Sequence, residues 1–339
     1  MSFRISRAVV LAASLSVVGV ASADLALSYQ FVGNGNWSLD GVGSNAIPTG
    51  VIDAFVPAGS VVERAFLYSA TIGPLVGDPQ TPTVRFEGVD YAPAAWTYLG
   101  STNGGGAGQI QAYRVDVTSQ VSGVIGSGGG TFNFDVEREE PTALVDGEVL
   151  AVVYSNPAEA ARTIAFLDGA SNTDGDGFTF TAADPLPDPT TPGFEALMSA
   201  GIGFSAQEFG PQLSHIDVNG RRLTSAAGGA DDGSVTDGAL LTIGGLGDST
   251  ANPADPNLES TDQFYDDELY NLAVGNGANP APFITTGETV LNIATENPSD
   301  NDNIFFVGFN ITADGSVPEP TTLGLLGAVG AIALRRRVK

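Results

Sequence analysis

Short apolar stretches separated by turns dominate the chain. Residues 131–137 alternate apolar Phe132, Phe134 and Val136 with polar neighbours, a pattern that predicts a strand with one buried face. Longer and more continuous apolar runs predict strands that are covered on both faces. These runs lie at residues 61–72, 148–154, 163–167 and 303–312. The pattern predicts one short helix, at residues 194–200.

The strand pattern predicts an all-β protein with long Gly/Asp-rich loops. About 290 residues of short strands suit two β-sandwich or jelly-roll-like domains better than one. We place these domains at residues 24–168 and 169–316, with a soft boundary near Asp168. A single large sandwich stays open as the alternative. Residues 149–157 and 162–169 resemble segments of uncharacterised secreted β-sandwich proteins, and that resemblance implies no activity.

The N-terminal segment has the three parts of an export signal. Arg4 and Arg7 precede an apolar run at residues 8–20, and Ala21-Ser-Ala23 follows as a cleavage site. We therefore expect a signal peptide over residues 1–23, handled by signal peptidase and the export machinery.

The C-terminal segment combines a polar motif, an apolar run and a basic end. The motif is Pro318, Glu319 and Pro320, the apolar run spans residues 323–334, and the basic end is Arg335, Arg336 and Arg337. This arrangement resembles the PEP-CTERM signal of Gram-negative bacteria. The resemblance implies that an exosortase-type enzyme in the membrane recognises residues 317–339. It also implies a surface or matrix protein that is associated with extracellular polysaccharide or biofilm.

The length of the apolar run favours temporary anchoring. Twelve helical residues rise about 18 Å, whereas the hydrocarbon core of a bilayer is about 30 Å thick. The terminal arginines should stay in the cytoplasm and leave the rest of the chain outside. We expect a short transmembrane helix in the inner membrane, followed by transfer to the cell surface or extracellular matrix. A permanent, unprocessed anchor is the alternative.

The charge of the chain excludes some partners. The chain contains 39 acidic and 13 basic residues. The two end segments contain one of the acids and six of the bases, which leaves a net charge near −31 for residues 24–316. Such a surface repels nucleic acid and anionic lipid, so we expect no nucleic-acid partner.

Calcium is the cofactor that the sequence favours. The chain has no cysteine, so neither disulfides nor thiolate ligands are available. Residues 172–177, Asn-Thr-Asp-Gly-Asp-Gly, fit the first half of a calcium loop, with oxygen ligands at Asn172, Asp174 and Asp176. The twelfth position is Ala183 instead of glutamate. We therefore expect Asp168 or Asp184 to complete the site; an ordinary Asp/Gly turn is the alternative.

We predict no catalytic residue. His215, the one histidine, lies in an apolar-polar strand pattern between Ser214 and Asp217, where neighbouring side chains point to opposite faces and cannot converge as a triad. Residues 247–250, Gly-Asp-Ser-Thr, resemble the opening motif of a lipase/esterase family, but the chain shows no α/β pattern around Ser249. We interpret them as a turn.

Three functions stay open from the sequence. The first is a non-enzymatic surface or matrix protein. The second is a carbohydrate-binding, lectin-like adhesin, because jelly-roll domains often bind sugars through exposed aromatic residues, for which Trp37, Trp96 and Tyr98 are the candidates. A place in the core is the alternative for the two tryptophans. The third is a secreted hydrolase, for which the sequence gives no means of choosing a pair of carboxylates.

Overall fold

Antiparallel β-strands make up nearly all the regular structure of the part that the computed structural model describes. That part comprises residues 25–43, 47–73, 81–103, 108–138, 144–172, 174–204, 213–227, 241–259, 268–299, 301–313 and 315–316. The strands are β1 Ala26–Gly43, β2 Thr49–Val56, β3 Val61–Gly73, β4 Val84–Phe86, β5 Val89–Tyr91, β6 Thr97–Asn103, β7 Gln109–Asp116, β8 Gly130–Arg138, β9 Leu144–Ser155, β10 Ala161–Asp168, β11 Gly177–Ala182, β12 Ala196–Gly203, β13 Ser214–Val218, β14 Arg221–Ala227, β15 Thr242–Ile243, β16 Leu269–Asn271, β17 Val290–Glu296, β18 Asn303–Ile311 and β19 Gly315–Ser316. A helix, α1, spans Thr118–Ile125, and a 3-10 turn spans Pro93–Ala95.

The strands form three sheets. A ten-stranded sheet has the order β15-β12-β18-β10-β1-β9-β3-β7-β6, with β16 also paired to β12. A five-stranded sheet has the order β14-β13-β17-β11-β19, and a four-stranded sheet has the order β2-β8-β4-β5.

The long strand β1 joins two halves of the ten-stranded sheet. Its first half pairs with β10, from Ala26 opposite Asp168 to Asn34 opposite Ala161. Its second half pairs with β9, beginning with Gly35 opposite Ser155. The sheet order places β1 between β9 and β10, so the chain crosses from one edge of β1 to the other through residues 156–160.

Three apolar cores separate four layers. Alternate residues of a strand point to opposite faces, and β10 shows this clearly: Ala165 and Leu167 join a core shared with the five-stranded sheet, while Ile164 and Phe166 join a second core. That second core lies between the two halves of the ten-stranded sheet. Strand β9 similarly contributes Leu150 and Val152 to a third core, which it shares with the four-stranded sheet and α1. The order of the layers is therefore four-stranded sheet, first half-sheet, second half-sheet, five-stranded sheet.

The predicted all-β class and the five predicted strands are confirmed. The chain is all-β, and strands β3, β8, β9, β10 and β18 occupy the runs that the sequence indicated. In β8, Phe134 and Val136 are buried while Asn133, Asp135 and Glu137 are exposed. Strand β18 is buried along its whole length, as its continuous apolar run predicted.

The predicted helix at residues 194–200 is wrong. Strand β12 occupies most of this range and is held by β18 on one edge and by β15 and β16 on the other. Its small residues suit a crowded site, since a Cβ on Gly203 would lie 2.7 Å from the Cβ of Ala70. Pairing on both edges therefore overrides the weak local preference for helix. The α-helix of the described residues is α1, at Thr118–Ile125, which the sequence pattern does not predict.

Other predictions stay open. Strands from both sides of Asp168 share the ten-stranded sheet, and the division into domains 24–168 and 169–316 stays a prediction. The predicted signal peptide, residues 1–23, and the predicted sorting signal, residues 317–339, with its transmembrane segment at residues 323–334, lie outside the described residues. Within the described ranges, no helix has the length and apolar character needed to cross a membrane.

Candidate functional site

A solvent-open cleft lies along the second half of β1. It has a volume of about 230 Å³ and lies between the turn at residues 156–160, strand β2 and the loop that follows β15. Its lining residues are Asn36, Trp37, Ser38, Leu39, Phe55, Tyr154, Glu159, Gly245 and Leu246. Two hydrogen bonds tie its walls to β1: Phe55 N donates to the side-chain Ser38 Oγ at 2.9 Å, and Leu246 N donates to the backbone Leu39 O at 2.8 Å.

Trp37 is held rigidly at the cleft. The half-buried indole stacks on Phe166, with ring centroids 6.2 Å apart and planes inclined by 23°. Behind it, a Cβ at Gly308 would lie 2.7 Å from the indole Cζ3 atom, so only glycine leaves room for the ring. The position of the Trp37 ring is therefore fixed by its packing.

Asn36 and Glu159 supply polar groups to the same cleft. Asn36 Oδ1 accepts hydrogen bonds from Trp37 N at 2.9 Å and from Asn310 Nδ2 at 2.6 Å. These two bonds orient the amide so that Asn36 Nδ2 faces Glu159 Oε2 at 3.5 Å. Arg162 Nη2 lies 3.7 Å from the same carboxylate oxygen. The cleft thus contains a partly exposed carboxylate with a neighbouring amide donor.

Tyr154 adds a third polar side chain to the cleft, beside those of Asn36 and Glu159. Its side chain is 2% exposed, and it lies directly opposite Asn36 in the β1–β9 pairing. Burial raises the pKa of the Tyr154 phenol, and the negative charge of Glu159 raises that pKa further, while Arg162 acts in the opposite direction. The phenol therefore stays protonated at neutral pH and can donate a hydrogen bond.

The structure does not bring the three predicted sugar-binding aromatics together. Trp96 is only 8% exposed, and its indole Nε1 donates to Tyr91 O at 3.3 Å within a core. Tyr98 is 42% exposed on β6, with its ring 5.4 Å from that of Tyr113. Of the three, Trp37 lines the cleft. Its partners there come from β2, β9 and a distant turn, which the sequence alone does not place beside it.

The predicted calcium loop is a turn between β10 and β11. Asn172 donates to both carboxylate oxygens of Asp176, from its backbone N at 3.1 Å and from its Nδ2 at 2.8 Å. Gly175 adopts φ +93°, and a Cβ there would lie 1.9 Å from Thr295 O, so the turn requires glycine. Asp174 is exposed. These contacts bring Asn172 and Asp176 together.

The residues proposed to complete the calcium site lie in different surroundings. Asp168 is buried, accepts a hydrogen bond from Tyr68 Oη at 3.0 Å and forms an ion pair with Arg114. Burial raises the pKa of Asp168, and the charge of Arg114 partly offsets that rise. Asp184 is exposed. No group of three or more histidine, aspartate or glutamate side chains suited to a metal occurs within the described ranges. Calcium binding by residues 172–177 stays a prediction.

The neighbours of His215 point away from it, as expected for a strand. His215 Nδ1 lies 3.2 Å from Glu296 Oε2 on the next strand. Ser214 is buried on the other face, where its Oγ donates to Asp302 Oδ2 at 2.9 Å. Asp217 pairs with Arg222 Nε at 2.6 Å. These side chains do not form a triad. Of residues 247–250, which the sequence predicts as a turn, Gly247 lies in the turn that residues 246–247 form.

The described chain ends at the edge of the five-stranded sheet. Strand β19 pairs with β11 through Ser316 opposite Thr181 and Gly315 opposite Ala182. The predicted sorting residues Pro318, Glu319 and Pro320 and the predicted basic end Arg335, Arg336 and Arg337 lie outside the described residues.

The comparisons with known proteins concern this C-terminal region. The family model described as the PEP-CTERM protein-sorting motif matches residues 316–337. The predicted PEP-CTERM sorting signal is therefore confirmed, and such a signal implies export and processing by an exosortase-type enzyme. No curated protein and no solved structure matches the chain.

Proposed function

We propose that the protein is an exported, non-enzymatic component of the cell surface or extracellular matrix, associated with extracellular polysaccharide. The observation that carries this proposal is the match of the PEP-CTERM sorting motif to residues 316–337. A folded all-β body with a strongly acidic composition suits a soluble protein that is exposed to the medium. The C-terminal signal would anchor the protein to the inner membrane, with residues 24–316 outside, until the sorting enzyme releases them.

Cell fractionation tests the sorting step. Replacing Pro318, Glu319 and Pro320 together with alanine should leave the protein in the membrane fraction at its unprocessed mass, because the enzyme loses its recognition motif. The unaltered protein should leave the membrane with a smaller mass. Immunoblots of membrane and medium, with mass spectrometry of the C-terminus, provide the measurement. Tyr98→Ala, far along the chain from the motif, is the control. Equal distribution of all three proteins would contradict the proposal.

Calcium binding would suit a protein that bridges to an anionic matrix. The ligands we propose are the oxygens of Asn172, Asp174 and Asp176, in a turn that already brings two of these residues together. Calorimetric titration of the full chain with Ca²⁺ should release or absorb heat, and the Asp174→Ala/Asp176→Ala double variant should not. Absence of heat, with an unchanged melting temperature in EDTA, would rule the site out.

A second candidate function is a carbohydrate-binding adhesin. The observation that favours it is the cleft at Trp37, where aromatic, carboxylate and amide groups meet. Pockets that bind small molecules commonly combine an apolar wall with a few convergent polar groups. Retention of the full chain on an immobilised polysaccharide tests this function.

A further inference from the structure

We infer that the cleft at Trp37 binds one uncharged sugar ring, such as a terminal residue of a neutral polysaccharide. This inference rests on the carbohydrate-binding function proposed above. It assigns the ligand class and the residues that recognise it.

The Tyr154 phenol and the Glu159 carboxylate both line the cleft. The Tyr154 side chain is 2% exposed, so its ring is fixed in the wall, and its protonated hydroxyl can donate a hydrogen bond to a ligand. The Glu159 carboxylate can accept one. A ligand hydroxyl between them could accept from Tyr154 and donate to Glu159.

The apolar side chains at the cleft suit the apolar face of a sugar ring. Phe55 is 45% exposed and Leu246 is 39% exposed, although both border the cleft. Trp37 also lines the cleft, and stacking on Phe166 holds its ring in place. Rigid aromatic surfaces bury large areas at a small cost in conformational entropy. The C–H face of a pyranose can pack against this wall while its hydroxyls reach the polar groups.

Size and charge narrow the ligand class. The volume of about 230 Å³ lies below the range of about 300–1,000 Å³ that is usual for drug-sized ligands, so one ring fits better than a chain. Glu159 shares the Arg162 guanidinium with Glu195, which leaves one negative charge in excess there, and the whole chain has a formal net charge of −26. Both repel carboxylated sugars. The cleft therefore favours neutral sugars over uronic acids.

Titration with defined oligosaccharides tests the inference. The full chain, purified in a non-glycosidic detergent, is titrated by calorimetry with cello-, malto- and galacto-oligosaccharides, and with oligogalacturonate as the anionic probe. At least one neutral probe should bind, whereas oligogalacturonate should not. Tyr154→Phe should weaken the binding about three- to tenfold, because it removes one hydrogen bond without changing shape. Phe55→Ala should weaken it by a similar factor.

Matched variants make the test specific. Tyr98→Ala removes another exposed aromatic outside the cleft and should leave the affinity unchanged. Glu159→Gln should reduce the discrimination against oligogalacturonate. Near-UV circular dichroism of each variant checks the fold, and Phe55 is exposed enough for its truncation to leave the core intact.

Each outcome decides the inference. Binding that Tyr154→Phe and Phe55→Ala leave unchanged would overturn the assigned cleft while leaving a carbohydrate-binding function elsewhere on the protein. Preference for oligogalacturonate would overturn the ligand class. Failure of every neutral probe to bind would overturn the inference, and retention on polysaccharide would then decide the adhesin function separately. The sorting proposal depends only on the fractionation result.

Discussion

At the scale of single residues, Asp302 is the buried carboxyl with the clearest consequence. It has no exposed surface and accepts hydrogen bonds from Ser214 Oγ at 2.9 Å and Ser299 Oγ at 3.4 Å. None of the described arginines forms an ion pair with it. Burial raises the pKa of Asp302 to about 6, and its hydrogen bonds only partly offset that rise. Above that pH the buried carboxylate is ionised and therefore lowers the free energy of unfolding.

This burial predicts a specific pH dependence of stability. Between about pH 4 and pH 6 the folded state holds a proton on Asp302 that the unfolded chain has released, so the free energy of unfolding falls as pH rises. Asp302→Asn should remove this contribution. Relative to that of the unaltered protein, the free energy of unfolding of the variant should rise by up to about 3 kcal/mol between pH 4.0 and pH 7.5.

Urea denaturation at both pH values measures that difference. Asp135→Asn, at an exposed position, is the control, and its difference from the unaltered protein should change little over the same range. If Asp302→Asn and Asp135→Asn gave the same pH dependence, Asp302 would not be the buried acid described here.

Only part of the cleft could be predicted from the sequence. Its aromatic type makes Trp37 a candidate, but it makes Trp96, which lies in a core, an equal candidate. Tyr154 and Glu159 gave no signal, because their proximity to Asn36 depends on pairing between strands more than 100 residues apart in the sequence. Side-chain type indicates what a residue can do, whereas tertiary pairing decides which residues meet.

At the scale of elements, apolar pattern was a good guide to long strands and a poor one to short elements. Strands β9 and β10 were predictable because their runs are continuous and buried on both faces. Strand β12 was misjudged because its sequence, with Ala196, Leu197, Met198 and Ala200, has helix-forming residues. Its pairing with β18 is a long-range interaction that no local pattern contains.

Helix α1 is a helix that the sequence pattern does not indicate. It contains poor helix formers such as Ser119, Ser122 and Gly123, so its composition gave no clear signal. Two features stabilise it: Val121 and Ile125, four residues apart, both enter a core, and Asp116 Oδ1 accepts from Thr118 N at 2.9 Å at its start. Tertiary packing, more than propensity, explains this short helix.

At the scale of the whole molecule, a buried ion pair connects the two halves of the ten-stranded sheet. Arg114 on β7 pairs with Asp168 on β10, across the core between the half-sheets. Tyr68 on β3 donates to the same carboxylate at 3.0 Å, and the Arg114 guanidinium lies 4.8 Å from the centre of the Phe66 ring. The Asp168 side chain is 5% exposed. These contacts fix the relative position of two layers whose described strands are hydrogen-bonded to each other only through β1.

Removing one partner of this ion pair should destabilise the folded protein. Arg114→Met should lower the free energy of unfolding by about 3–5 kcal/mol, because Asp168 would stay buried without a cation. Arg64→Met is a matched control: Arg64 pairs with Asp116 at 2.9 Å, but both side chains are more than 40% exposed. Its loss should be below about 1 kcal/mol.

Chemical denaturation of the two variants at neutral pH gives the comparison. A loss for Arg114→Met as small as that for Arg64→Met would mean that the buried pair does not hold the layers together.

Strand β1 also constrains the order in which the chain can fold. An exported chain that crosses a membrane from its N-terminus presents β1 first. The partners of β1, residues 147–155 and 161–168, emerge more than 100 residues later. Strand β10 in turn needs β18, at residues 303–311. Such distant pairings are slow to form, and apolar surface stays exposed until they do. The layers on both sides of β10 can therefore be completed only after β18, near the end of the described residues, is available for pairing.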